Sequence, residues 1–215
     1  MPRPAPRPRA IVFDLDGTLV DSLPDIVGAF QDTFTEQGLP VPSAEAIRSR
    51  VGLPLEAMYA DFAASDRIAA LVERYRRIYP QRFSRTSRPF DGVAEVLAEL
   101  RAHGFKLAVA TTKRSDMAAR FVAAMGLADA LDHVQGTDGF PHKPAPDVVL
   151  RALAALDADG AWMVGDTTHD VGAGKAAGLA TYAVTWGTHD AATLATAAPD
   201  RLEPNLDTLV AAVLG

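Results

Sequence analysis

The chain has 215 residues, 48% of them hydrophobic and 22% charged, with a formal net charge of −6 and no cysteine. That is enough apolar material for a sizeable core in one domain, or in a domain with a small insert. Disulfides and thiolate metal sites are excluded, the acidic balance argues against nucleic acid as a partner, and no apolar run approaches the ~18 residues of a membrane span.

Residues 1–9 alternate Pro and Arg without the apolar centre of a secretion signal, so a short extended tail and a cytoplasmic chain are expected. Ile11-Val12-Phe13 then reads as a strand buried on both faces. It ends in Asp14-Leu15-Asp16-Gly17-Thr18. Strand alternation would point Asp14 and Asp16 the same way if the strand continued, and Gly17 allows a sharp turn. Same-facing carboxylates repel unless a cation lies between them, and a divalent ion with oxygen ligands suits that chemistry. Asp-Gly is also a common turn pair, and a carboxylate after a strand is often a helix cap.

The next stretch reads as helices. After a capped turn at Asp21 to Pro24, the pattern predicts a helix over about 25–37 with Ile26, Val27, Phe30 and Phe34 on one face. Short helices follow from Ser43 to Arg50 and from Leu55 to Ala64. A longer one, capped by Ser65, carries Ile68, Leu71, Val72, Tyr75, Ile78 and Tyr79 at helical spacing. No convincing strand falls between Val20 and Phe83. From Pro89 the texture changes: helix 91–103, strand 105–110, helix 115–125 capped by Ser115, a short strand near His133, helix 146–156, strand 161–164, helix 171–177, strand 181–184, and two short helices near Ala191 and Leu206. Strands alternating with helices indicate a Rossmann-like parallel α/β sheet with helices on both faces. The all-helical block is too long for a crossover, which predicts an inserted cap domain (20–83) in an α/β core (1–19 and 84–215).

Ligands of such sheets bind beyond the carboxyl ends of the strands. The sequence delivers polar groups there repeatedly: Asp14 and Asp16 from the first strand, Thr111, Thr112 and Lys113 from the second, and Gly165 to Asp170 from the fourth. The loop before the fourth strand adds His142-Lys143-Pro144-Ala145-Pro146. Taken singly, Thr111 and Thr112 could cap the following helix and Lys143 could face solvent. Gly172-Ala173-Gly174-Lys175 imitates a nucleotide loop, but Ala176 follows the Lys where Ser or Thr is needed, so the glycines read as close helix packing. His142 and His169 lack clustered metal-ligand spacing and read as loop hydrogen-bonding residues.

These motifs, in this order, resemble those of the haloacid dehalogenase-like (HAD) phosphohydrolases over nearly the whole chain. Asp14 to Thr18 is similar to their first motif, Thr111 to their second, Lys143 to Pro146 to their third, and Gly165 to Asp170 to their fourth. The helical insert looks like a type 1 cap, and the segment Phe13 to Ser22 with Val51-Gly52 resembles the phosphoglycolate phosphatase-like branch. Thr112 departs from that branch, which often has Asn there. The resemblance implies a phosphatase acting on a small phosphorylated metabolite, with no nucleic-acid or membrane partner, as a monomer or homodimer. It implies Mg²⁺ held by Asp14, the Asp16 backbone carbonyl and Asp166, with Asp170 in an outer shell. It implies Asp14 as nucleophile, Asp16 as acid and base, and Lys143 with Thr111 stabilising the transferring phosphoryl group. Thr112 and Lys143 would bind substrate, Arg48 and Arg50 of the cap could pair with a substrate carboxylate, and Arg85 and Arg88 could pin the hinge. The alternatives are a phosphomutase of the same fold, although Ser49-Arg50-Val51-Gly52 does not reproduce the expected cap signature, and a non-enzymatic binding protein.

Overall fold

The computed structural model of the protein describes residues 7–215. Most of the Pro/Arg tail therefore lies outside the described residues. Its end is docked: Arg7 pairs with Asp157, and the Pro8 carbonyl accepts from the Asp159 amide at 2.9 Å. The first strand, β1 (Arg9–Phe13), leads into a two-residue strand β2 (Val20–Asp21). Helices α1 (Leu23–Glu36), α2 (Ala44–Arg48), α3 (Leu55–Ala60) and α4 (Ser65–Ile78) follow, and the chain returns through β3 (Arg88–Pro89). Beyond it run α5 (Val93–Ala102), β4 (Lys106–Ala110), α6 (Ser115–Ala124), β5 (His133–Gln135), α7 (Asp147–Leu156) and β6 (Asp159–Gly165). The chain closes with α8 (Thr168–Ala176), β7 (Ala180–Val184), α9 (Ala191–Thr196), β8 (Arg201–Glu203) and α10 (Leu209–Leu214).

Six parallel strands lie in the order β5-β4-β1-β6-β7-β8. The chain builds outward from β1 on one side and then returns to lay β6 on the other, so the order reverses at β1. Loops on its two flanks diverge there and leave a crevice above the strand ends. Alternation along β1 explains its uninterrupted apolar run. Ile11 and Phe13 join the core with Val93 and Leu97 of α5, whereas Ala10 and Val12 join the opposite one with Val148, Val149 and Ala152 of α7. The helix-covered parallel sheet expected from the sequence is present.

The helical insert is tied to the sheet at a narrow neck. Val20 pairs with Pro89 and Asp21 with Arg88 in an antiparallel two-strand ribbon, an element the sequence pattern did not predict. Beside it the carboxylate of Asp25, 2% exposed, accepts hydrogen bonds from the amides and hydroxyls of both Thr86 and Ser87, at 2.8–2.9 Å. Burial raises the Asp25 carboxyl, but those bonds outweigh it and hold the group below its ordinary value. The Arg82 guanidinium lies against α1 where a side chain on Gly28 would collide with it, and pairs with Asp32. The hinge pin is thus Arg82. Arg88 bonds only backbone carbonyls, those of Ser84 and Ser87, and Arg85 makes no ion pair among the described residues. A file of rings, Phe30, Tyr59, Tyr75, Tyr79 and Phe121, runs from the insert to α6 with successive centroids 4.1–6.5 Å apart.

Several boundaries moved for local reasons. Helix α8 starts three residues before the predicted position because Thr167 and Asp170 form a reciprocal capping box. Ser65 and Ser115 are first helical residues rather than caps, with Ala64 and Arg114 ahead of them; the Ser115 hydroxyl accepts from Gly136 N at 3.1 Å instead. The helix from Leu55 ends at Ala60, and β8 is an unpredicted edge strand. No helix among the described residues is long and apolar enough to cross a membrane.

Candidate active site

At the end of β1 the amide of Asp14 still bonds Val164 O at 2.8 Å, so the sheet fixes this residue. Alternation then fails. Gly17, at φ +85°, closes a tight turn in which its amide bonds Val20 O at 2.9 Å. A Cβ there would strike the Asp166 carboxylate. The turn separates the two acids that the strand pattern had placed together. Asp14 faces Lys143, while the Asp16 carboxylate turns to Ser22 Oγ at 2.5 Å and Lys113 Nζ at 2.6 Å. A cation shared between the Asp14 and Asp16 carboxylates is therefore corrected; the acids that converge are Asp14, Asp166 and Asp170, with one oxygen of each within 4.8 Å of the others.

Lys143 organises this trio. All three of its donors are engaged: Asp14 Oδ1 at 2.5 Å, Asp170 Oδ1 at 2.6 Å and Ala110 O at 3.0 Å. Asp170 is held from behind by the amide and hydroxyl of Thr167, at 2.9 and 2.6 Å on its Oδ2. Asp166 accepts from Thr18 Oγ1 and Thr188 N, both at 2.7 Å. Burial alone would lower the Lys143 ammonium, yet Asp14 and Asp170 outweigh it and hold it above the ordinary lysine value. Burial pushes Asp14 well above the usual carboxylate range, with Lys143 opposing and Asp170, Asp166 and Asp16 adding to the rise. Burial, reinforced by Asp170, pushes Asp166 up to about 7. Both directions follow from three buried acids sharing one buried cation.

That surplus of negative charge tests whether a divalent cation fits. The donors are hard carboxylate oxygens, converging and under-compensated, which is the ligand set of Mg²⁺ rather than of a soft metal. Both oxygens of Asp170 accept from Lys143 and Thr167, as both of Asp166 do from Thr18 and Thr188, but of these two acids only Asp170 holds the Lys143 ammonium, which suits an orienting role behind the ligands.

The remaining expectations fall out unevenly. Asp14, Asp16, Thr112, Lys143 and Asp170 line one cavity of about 1010 Å³ between the insert and the sheet edge. Thr111 is buried at the end of β4; its Oγ1 accepts from Lys113 N at 3.2 Å, so it braces the loop while its hydroxyl proton stays available. Arg48 and Arg50 are not brought to the cavity. Arg48 is exposed, and Arg50 is drawn outward by its ion pair with Asp61. The roles of three residues escaped sequence reasoning. Ser22 was expected to cap α1, but its hydroxyl makes no cap and goes to Asp16. Thr167 carried a signal in its Thr-x-x-Asp spacing. Lys113 lies 97 positions from Asp16, and nothing local announces their pairing.

Known proteins resemble this chain along most of its length. The chain is 38% identical over 211 residues to the "Probable phosphatase IndB" of Dickeya dadantii, covering 94% of this chain and 92% of that protein. It is 36% identical to a phosphoglycolate phosphatase of Caulobacter vibrioides, covering 82% and 79%. Among solved structures, the hydrolase SP0104 from Streptococcus pneumoniae superposes with a TM-score of 0.87 at 32% identity, covering 94% and 97%. The haloacid dehalogenase-like hydrolase family model matches residues 11–184, and with that match the chain belongs to the haloacid dehalogenase-like hydrolases.

Proposed function

We propose that this hydrolase cleaves a small-molecule phosphate monoester, phosphoglycolate or a close analogue, with Mg²⁺ and through an aspartyl phosphate on Asp14. The observation that carries the reading is the separation of the two motif acids. Asp14 is held on Lys143 and Asp16 on Lys113, both line one cavity, and an in-line displacement needs a nucleophile and an acid on different sides of phosphorus.

Asp14, the Asp16 backbone carbonyl and Asp166 would hold the Mg²⁺, which when bound supplies the positive charge that lets a phosphate dianion approach a carboxylate. Lys143 fixes Asp14 Oδ1, while Oδ2 has no hydrogen bond among the described residues and is free to attack. As the Oδ2–P bond forms and the ester P–O bond breaks, Asp16 gives a proton to the departing alcohol oxygen. It then takes a proton from the water that attacks phosphorus, releasing inorganic phosphate and regenerating Asp14. Lys143 and the Thr111 hydroxyl, with amides near Leu15 and Thr112, balance charge on the transferring oxygens. Residues 20–83 serve as the cap that shields the phosphoenzyme from stray water and reads the leaving group.

The test is phosphate release from phosphoglycolate and p-nitrophenyl phosphate with and without Mg²⁺, for wild type and Asp14→Asn. Mg²⁺-dependent release by the wild type and loss of turnover in the variant are expected. No release from either ester or from a wider monoester panel, or an unimpaired variant, would overturn the proposal.

A further inference from the structure

Lys113 is the cation of this cavity that the reaction scheme leaves unused. It follows Thr112 on the loop after β4, its side chain is 11% exposed, and it lies over the rings of Tyr79 and Phe121 at 4.8 and 5.2 Å. An ammonium has three donors. Lys143 spends all of its own, whereas Lys113 spends one on a hydrogen bond, to Asp16 Oδ2 at 2.6 Å. Tyr79, whose ring lies under the ammonium and which lines the same cavity, carries a buried hydroxyl with no hydrogen-bond partner among the described residues. A largely buried ammonium with donors to spare and an unpaired hydroxyl are costly unless an acceptor group completes them. The other cationic groups of the lining are less suited. Arg114 pairs with Asp116 and Arg76 with Glu56, and Arg120 is exposed, where water screens it.

The geometry points to Lys113, assisted by Tyr79, as the receptor for an oxyanion on the leaving group, a carboxylate on the carbon that bears the ester oxygen. This rests on the phosphomonoesterase reading above and names the residues that select its substrate. Two acceptors sharing one ammonium lie roughly 4–5 Å apart. A carboxylate one carbon from the ester oxygen meets that spacing while Asp16 addresses the ester oxygen itself. Asp16 and the substrate anion thus share Lys113, and anion recognition and proton delivery are registered on one side chain. Specificity comes from the core loop together with the last turn of the insert, not from the cap arginines.

The test compares phosphoglycolate with ethyl phosphate, which has no carboxylate, on the Mg²⁺-loaded enzyme. A hydrogen bond to a charged group sets the scale, so wild-type kcat/KM is expected to favour phosphoglycolate by at least about 10-fold. Lys113→Met is expected to shrink that ratio by about 10–100-fold, chiefly through KM, with Lys113→Arg recovering part of it. Tyr79→Phe, which keeps the ring, is expected to shrink it by about 3–10-fold. A ratio unchanged in a folded Lys113→Met that still turns over both esters would overturn the assignment, because a lysine that only positions Asp16 would slow both esters alike. A wild type without preference for the carboxylated ester would overturn it too. Turnover of neither ester nor of p-nitrophenyl phosphate would remove the phosphomonoesterase reading and this inference with it.

Discussion

Asp25→Ala is expected to loosen the joint between the insert and the core, and the structure sets the size of the effect. The carboxylate accepts from Thr86 and Ser87 only, through two amides and two hydroxyls. Thr86 is exposed, so its groups regain water at little cost, whereas Ser87 is fully buried and its amide and hydroxyl are orphaned. At about 1–3 kcal/mol for each stranded buried donor, the loss is roughly 2–6 kcal/mol. For a chain of this size that is roughly 4–24 °C in Tm. Urea unfolding followed by circular dichroism at several pH values measures it. The folded-state value of Asp25 lies below its unfolded one. Its contribution is therefore present above an unfolded value of about 4 and disappears as pH falls through the folded value. The gap between wild type and variant should be full at neutral pH and narrow in acid. A gap under about 0.5 kcal/mol at neutral pH, below the scale of even one ordinary hydrogen bond, or one that widens on acidification, would refute the reasoning.

Lys143→Met removes the cation shared by Asp14 and Asp170, and breaking a buried pair costs about 3–5 kcal/mol. Turnover should also vanish, and adding Asp14→Asn should return part of the stability; an unchanged urea midpoint for the single variant would contradict the charge accounting. Gly17→Ala forces a Cβ toward the Asp166 carboxylate at a positive φ. It should cost about 1–3 kcal/mol and weaken Mg²⁺ binding, read by titrating Mg²⁺ against thermal shift. Mg²⁺ at a hundred times its Kd should stabilise the wild type by about 2.7 kcal/mol, and Asp166→Asn should lose most of that gain in the same scan.

The parts of the site legible in the sequence were those carried by short spans of chain. The apolar run of β1 with its terminal acids, the Lys143 loop and the Gly165–Asp170 stretch each declare themselves locally, and the parallel fold delivers all three to the point where strand order reverses. What the sequence hid was set by turns and by distant pairings. Alternation past Phe13 would send Asp16 toward Asp14 only if the strand continued; Gly17 marks a turn in the sequence but does not say where that turn sends the Asp16 side chain. Ser22 has the identity and position of a helix cap, and only the fold shows Asp16 competing for its hydroxyl. Arg48 and Arg50 were attractive for their charge, but charge does not say which way a helix face turns, and Asp61 claims Arg50. The Asp25 clasp joins residues about sixty positions apart, beyond any helical or strand repeat.

The narrow ribbon in which Val20 and Asp21 lie beside Pro89 and Arg88 places the two ends of the insert side by side. The sheet below is built from strands on either side of that excursion and takes no strand from within it. The molecule is therefore a chassis with an exchangeable head. A foreign helical hairpin spliced at these four residues would inherit the strand register, the acids and both lysines of the host. What it would trade away is Tyr79 and the apolar ceiling around it, together with Ser22 on Asp16 and the Asp25 clasp, so a graft that keeps those contacts would retune substrate taste while leaving the acids in place.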